Sequence, residues 1–259
     1  YMLSNSLASI FHQDGLRHLV YRASQYLADR LNSGTVSRSV AGVTAEFNAS
    51  DARYLGDFHD ERDVVASFIS DLRTEDVVYD IGANLGIYSS FAGRVLGQSG
   101  NVVAVEPNPA ALSSLYQNVQ RNTNSFEVFS TALSDSTGFG RIPPLFATGG
   151  DIRDQAGIRI PISRVDDLMS SCQIPIPDVV KIDVEGAEED VLRGFGGFLS
   201  EVRVLYVEVH REKVENFNSS EHEIRSILEG HFSSLSQIGE NTRGAGEQVQ
   251  LRAATASEQ

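Results

Sequence analysis

The stretch VVYDIGANLGIYSS, residues 77–90, decides the fold. An apolar run, Val77-Val78-Tyr79, is closed by an acid, Asp80. Gly82, Asn84 and Gly86 follow, and then Ile87, Phe91 and Val95 recur at helical spacing up to Gly97. This pattern predicts a short buried strand, a tight turn and a helix. Glycine at 82 and 86 lets the backbone turn sharply and approach a ligand closely. Asparagine at 84 tolerates the left-handed region better than most residues. The helix points its positive N-terminal end back at the turn.

The same cadence runs on downstream. Val102 to Val105 predicts a second strand; Asn108 and Pro109 then open a helix as cap and first-turn proline. Phe126 to Phe129 predicts a third strand and Val179 to Ile182 a fourth, followed by a helix through Val191-Leu192 that stops at Gly194. Val202 to Val209 is the longest apolar run, and residues 232–238 and 247–252 suit a terminal hairpin. Strands alternating with helices imply crossover connections and a mainly parallel sheet covered on both faces. Upstream, residues 1–32 are expected to form a helical lead-in, 36–50 a hairpin and 60–72 a helix with Val64, Val65, Phe68, Ile69 and Leu72 on one stripe. The organisation expected is an N-terminal helical and hairpin extension over 1–59 and one domain over 60–255. Residues 136–157, with five glycines and two prolines, are expected to form a long loop, and Ile158 to Val165 a strand added to the sheet.

Bulk chemistry narrows the function. A net charge of −14 over 259 residues repels phosphate backbones and argues against a nucleic-acid substrate. Only two of the 21 basic residues are lysine, Lys181 and Lys213; an acidic, lysine-poor chain suits a salt-rich cytoplasm. The single cysteine, Cys172, makes no intrachain disulfide and no zinc motif. No apolar stretch is long enough to span a membrane and no secretory signal is evident, so a cytoplasmic location is expected.

In an open parallel sheet, ligands bind beyond the carboxyl ends of the strands, where Asp80 sits. The spacing Asp-x-Gly-x-Asn-x-Gly is not the dinucleotide fingerprint. A carboxylate at the turn is a poor neighbour for pyrophosphate and a good one for an ammonium and a sulfonium, which points to S-adenosylmethionine. Glu106, closing the second strand, is placed to accept from both ribose hydroxyls. Ser130 to Asp135, after the third strand, is a small and polar segment suited to an adenine edge.

The segment KIDVEGAE, 181–188, alternates Lys181, Asp183 and Glu185 on one side of a strand leaving the core. Lys181 is either a tuned amine or one half of a buried ion pair with Asp183. Glu188, Glu189 and Asp190 suit the first turn of the next helix as dipole partners on a solvated face. Glu208 and His210 alternate at the end of the last long strand; His210 suits a general base or a rim residue. Asp183, Glu185, Glu208 and His210 have metal-ligating chemistry, but nothing in their spacing demands an ion and none is expected. The other histidines, His12, His18, His59, His222 and His231, lie outside the strand ends and suit surface or packing roles.

In order, DIGANLG (80–86), VEPNP (105–109), TALSD (131–135), RVDDL (164–168), KIDVEGAE (181–188) and VEVH (207–210) resemble the FkbM-type methyltransferase domain over about residues 60–215. The resemblance implies a seven-stranded class I, Rossmann-like α/β fold. It implies S-adenosyl-L-methionine as donor and O-methylation of a hydroxyl on a sugar, glycan or natural product. By motif, Asp80, Gly82, Asn84 and Gly86 form the methionine-side loop, with Asn108 beside the ribose acid Glu106. Ala132, Leu133, Ser134 and Asp135 line the adenine. Lys181, Asp183 and His210 are expected to be catalytic, with Glu185 and Glu208 toward the acceptor. The competing expectations are a nicotinamide-dependent oxidoreductase, which the missing GxGxxG opposes, and a non-catalytic glycan- or protein-binding module on the same fold.

Overall fold

The computed structural model describes residues 34–51, 55, 61–142, 157–241 and 247–256. The helix expected over 1–32 lies outside them. The described residues begin with the antiparallel hairpin β1 (Thr35–Val40) and β2 (Val43–Asn48), as expected, and continue with α1 (Arg62–Asp71). Then come β3 (Val77–Ile81), α2 (Ile87–Leu96), β4 (Asn101–Val105), α3 (Pro109–Asn122), β5 (Phe126–Phe129), β6 (Ala132–Ser134), β7 (Gly138–Ile142) and β8 (Ile158–Arg164). The remainder is α4 (Val165–Cys172), β9 (Val179–Ile182), α5 (Glu188–Gly194), β10 (Val204–His210), α6 (Arg211–Val214), α7 (Glu221–His231), β11 (Ser234–Asn241) and β12 (Gln248–Ala254).

The main sheet has seven strands in the order β11-β12-β10-β9-β3-β4-β5. β3, β4, β5, β9 and β10 pair in parallel, and β12 runs antiparallel to both of its neighbours. The expected terminal hairpin is therefore the sheet's far edge. Chain order reverses between β9 and β3, which is where an open parallel sheet opens a crevice for ligands.

Strand periodicity sorts the side chains. Tyr79, Ile81, Val180, Ile182, Leu205 and Val207 face a core closed by Leu168 and Met169 of α4, Val191 and Leu192 of α5 and Leu228 of α7. Val78, Val179, Val204 and Tyr206 face the opposite core, closed by Phe68 of α1, Phe91 of α2 and Phe47 of the hairpin. By the same two-residue period, Asp80, Lys181 and Glu208 share this second face.

The predicted loop over 136–157 needs correction. Residues 138–142 form β7, and β6, β8 and β7 make a separate three-stranded sheet. Ile158–Arg164 is a strand, as expected, but it pairs with β6 and β7 rather than joining the main sheet, and Val165 already begins α4. Glycines at 138 and 140 hid the strand, because glycine weakens a strand pattern without forbidding an exposed edge. Residues 143–156 lie outside the described set.

Candidate active site

The turn between β3 and α2 keeps the conformation its sequence demands. Gly82 has φ +81° and Asn84 φ +48°. A Cβ on Gly82 would stand 1.8 Å from the carbonyl oxygen of Asp183. The glycine expected to admit a ligand therefore admits the backbone that leaves β9, and so ties the turn to the strand carrying Lys181 and Asp183. The Gly82 and Ala83 N–H groups both donate to Val105 O, at 2.9 and 3.1 Å, closing the turn onto β4.

Asp80 lies within β3 and is buried. Its Oδ2 accepts from Ser89 N at 2.8 Å and Ser89 Oγ at 2.6 Å, so this carboxylate anchors the first turn of α2. Burial, opposed by those two bonds and by Lys181, holds its pKa above the usual carboxylate range. Glu106, one strand over, accepts from Asn84 N at 2.8 Å through Oε2 and from Asn108 N at 2.7 Å through Oε1. Asn108 caps α3, accepting from Ala110 N at 3.0 Å. Burial also raises Glu106, with smaller contributions from the charges of Asp80 and Glu185. These three acids, distant in sequence, thus share one electrostatic neighbourhood.

The segment carried over as adenine-lining occupies the small sheet. Ala132 packs with Ile142 and Ile160, and Leu133 joins the core with Val165. The backbone oxygen of Ser134 lies where a Cβ on Gly194 would approach within 2.2 Å, and Asp135 is exposed with its carbonyl accepting from Arg164. Side chains of Ala132 and Leu133 are committed to packing.

The strand ends of β9 and β10 carry the chemistry. Lys181 is fully buried, with Nζ 3.5 Å from Glu208 Oε2 and 5.1 Å from the centre of the Tyr88 ring. The ion pair weighed at the sequence level with Asp183 is therefore with Glu208. Burial works against the ammonium, but the charges of Asp183 and Glu208 outweigh it and raise its pKa. Glu208 Oε2 also accepts from Gln250 Nε2. Burial would raise Glu208, yet Lys181 and His210 overcome this and hold it lowered, hence ionised. Asp183 moves the other way: burial first, then the charge of Glu208, push its pKa well above the usual range. Its side chain keeps 32% exposure, whereas His210 keeps 3%.

His210 Nδ1 lies 2.9 Å from Glu188 Oε1. Its Nε2 faces Glu185 Oε2 at 3.3 Å, Asp183 Oδ1 at 3.8 Å and Glu208 Oε1 at 3.8 Å. Burial disfavours the charged ring, but the Glu188 bond and the surrounding carboxylates push its pKa up to about 9. Glu185, at φ +61°, has left the strand geometry and pairs with Lys213.

Two residues escaped the sequence reading. Glu188, expected on a solvated face, is fully buried and fixes His210. The signal was its spacing of three and four to Val191 and Leu192, which puts it on the buried face of α5. Tyr88 is buried with its hydroxyl unpartnered among the described residues; its pKa is raised by burial and by several acids, Glu208, Asp183 and Asp80 among them. Its spacing to Phe91 and Ala92 gave the same signal.

Asp80, Glu106, Asp183, Glu185, Glu188 and Glu208 outnumber Lys181, Lys213 and His210 around these strand ends. Such a surplus of carboxylates fits a cationic ligand such as S-adenosylmethionine and disfavours a pyrophosphate. Glu106 retains lone pairs beyond those taken by Asn84 and Asn108.

The family described as Methyltransferase FkbM domain matches residues 80–235, which span these strand ends from Asp80 to His210. The hexuronic acid methyltransferase AglP of Haloferax volcanii is 30% identical over 177 residues, covering 66% of this chain and 72% of that protein. The 31-O-demethyl-FK506 methyltransferase FkbM of Streptomyces tacrolimicus is 26% identical over 226 residues, covering 73% and 84%. A crystal structure of methyltransferase FkbM from Methylobacillus flagellatus KT superposes with a TM-score of 0.49 at 20% identity, over 71% of this chain and 45% of that one. Carboxylates gathered at the carboxyl ends of a seven-stranded sheet, within a family match of this extent, leave one conclusion: the chain belongs to the FkbM methyltransferase family.

Proposed function

We propose that the chain transfers the methyl group of S-adenosylmethionine to a hydroxyl of a sugar. The observation that carries the acceptor class is the 30% identity to a hexuronic acid methyltransferase over most of both chains. When bound, the donor supplies an electrophilic methyl on a positively charged sulfur. The residues of the chain then have three tasks.

Glu106 holds the donor by accepting from ribose hydroxyls, its carboxylate already oriented by Asn84 and Asn108. Asp183 removes the acceptor proton. An alcohol is a weak nucleophile, and a carboxylate whose pKa is raised by burial and by Glu208 is a stronger base than an ordinary one. With the donor bound, Asp183 would hold that proton once the acceptor oxygen carries the methyl. Lys181 keeps Glu208 ionised and fixed, and so maintains the difference between the two acids. His210, with its pKa near 9, is protonated at neutral pH in this arrangement, which favours Asp183 over His210 as base.

The test has two stages. Thermal shift compares S-adenosylhomocysteine with NAD; stabilisation by the former alone is expected. Methyl-labelled S-adenosylmethionine is then offered with a hexuronic acid glycoside and a neutral hexose glycoside, and products are located by NMR. A methyl ether on a sugar supports the proposal. Absence of donor binding, or donor binding without transfer to any sugar hydroxyl, overturns it.

A further inference from the structure

We propose that Asp183, Glu208 and His210 form a divalent-cation site on the acceptor side of this crevice. Each offers one ligand atom, and the three atoms lie within 4.8 Å of one another. The distances from His210 Nε2 to Asp183 Oδ1 and to Glu208 Oε1, both 3.8 Å, are too long for hydrogen bonds. They match neighbouring ligands on one ion. Two donors at about 2.1–2.2 Å from a cation stand roughly 3.0–4.4 Å apart, depending on their angle.

The surroundings divide each group's work consistently. Glu208 gives Oε2 to Lys181 and Gln250, leaving Oε1 toward His210. Glu188 engages His210 Nδ1, so Nε2 is the nitrogen presented to the cluster. The ring that is protonated in the empty site gives up its Nε2 proton when the ion binds, and the Glu188 carboxylate held at Nδ1 then fixes the metal-binding tautomer. Glu185 Oε2 pairs with Lys213 and lies 3.3 Å from His210 Nε2, so it is displaced from that nitrogen, or joins the ligands, when the ion binds. The 32% exposure of Asp183 leaves an approach, while Glu208 and His210 close the rear.

A second observation points independently to a ligand. Gln250 is buried, donates to Glu208 and, among the described residues, leaves its Oε1 without a hydrogen-bond partner. The hydroxyl of Tyr88, from the helix opposite, is also buried and unpartnered among the described residues. Polar oxygens held dry at the margin of a carboxylate–imidazole cluster suit a hydrated cation.

Two carboxylates and one imidazole suit magnesium or manganese, whose remaining positions are open to oxygen donors. The use of the ion rests on the sugar reading above; with the ion bound, the cation and not a raised carboxyl pKa activates the acceptor hydroxyl, and Asp183 ligates through Oδ1 while keeping Oδ2 for the proton. A hexuronate or a sugar diol offers paired oxygens, and a cation would let an anionic acceptor enter a site so rich in acids. Binding of the ion itself does not depend on that reading.

The probe is Mn²⁺ alone, added to the EDTA-stripped chain without donor or acceptor and followed by electron paramagnetic resonance of the free ion. One saturable site per chain is expected, with Mg²⁺ competing. Asp183→Asn and His210→Gln should each weaken Mn²⁺ by about tenfold or more, while Asp167→Asn in α4 leaves it unchanged. Circular dichroism checks each fold, and the half-exposed Asp183 decides alone if the His210 variant does not fold. Absence of saturable binding, or wild-type affinity in Asp183→Asn, overturns the site. Thermal shift with S-adenosylhomocysteine on the same samples separates this outcome from failure of the methyl-transfer proposal.

Discussion

Glu188 Oε1 stands 2.9 Å from His210 Nδ1 and accepts the Gly186 N–H at 3.0 Å. One buried oxygen therefore locks the turn after β9 to the end of β10. Removing it leaves the buried His210 Nδ1–H and the Gly186 N–H without their acceptor. Glu188→Ala is expected to destabilise the fold by about 3–5 kcal/mol, and Glu188→Gln, which keeps an acceptor, by roughly half of that or less. Chemical denaturation with an unchanged m-value checks both.

Asn118 of α3 binds three parts of the molecule. Its Oδ1 accepts from Asn48 N at 2.8 Å, and its Nδ2 donates to Asp51 Oδ2 and to Leu85 O, both at 2.9 Å. Leu85 belongs to the glycine turn, so the hairpin braces that turn, the proposed donor loop, through this one amide. Asn118→Ala leaves buried groups unpaired, each at a cost of about 1–3 kcal/mol. A stability loss together with a severalfold weaker Kd for S-adenosylhomocysteine is expected. Loss of stability with unaltered affinity would show that the brace does not reach the donor site.

Glu106 orders its own loop as well as serving, in the proposed function, as the ribose acceptor. Glu106→Ala removes the acceptor for Asn84 and Asn108 N–H and should raise the Kd for S-adenosylhomocysteine by about tenfold or more. Glu106→Gln retains one oxygen and should fall between. Calorimetry giving wild-type affinity for the alanine variant would remove Glu106 from the ribose assignment.

The strands and helices around Asp80, Glu106 and His210 were legible because apolar runs of four or five residues alternate with helical stripes. Terminal acids mark the sheet's working edge. Three things were not legible. The separate sheet of β6, β7 and β8 joins residues on either side of 143–156, a pairing that local pattern does not encode. Burial of Glu188 was masked by its neighbours Glu189 and Asp190, which make the segment look like an ordinary acidic first turn. The partner of Lys181 was misassigned for a related reason. Alternation along β9 suggested Asp183, whereas Glu208 comes from the adjacent strand, across a pairing that sequence spacing does not reveal.

Asp80 gives the sharpest pH test. Its pKa is raised, chiefly by burial, so the folded chain binds this proton more tightly than the unfolded chain does. Stability from this group is therefore present at low pH and is lost as pH climbs from the unfolded value, about 3.9, through the raised folded one. Once ionised in the native state, Asp80 is a buried charge, supported by Ser89 and by Lys181. Asp80→Asn keeps an oxygen for Ser89 and removes the charge. Its Tm should exceed that of the wild type at pH 8, by roughly 2–4 °C for each kcal/mol relieved, and the gap should shrink toward pH 4. The same variant should bind S-adenosylhomocysteine less tightly, because a carboxylate has been taken from the field around a ligand that carries an ammonium. A variant less stable than wild type at pH 8 would mean that attraction to Lys181 exceeds the desolvation of Asp80, and that the acid is kept for folding rather than for the donor.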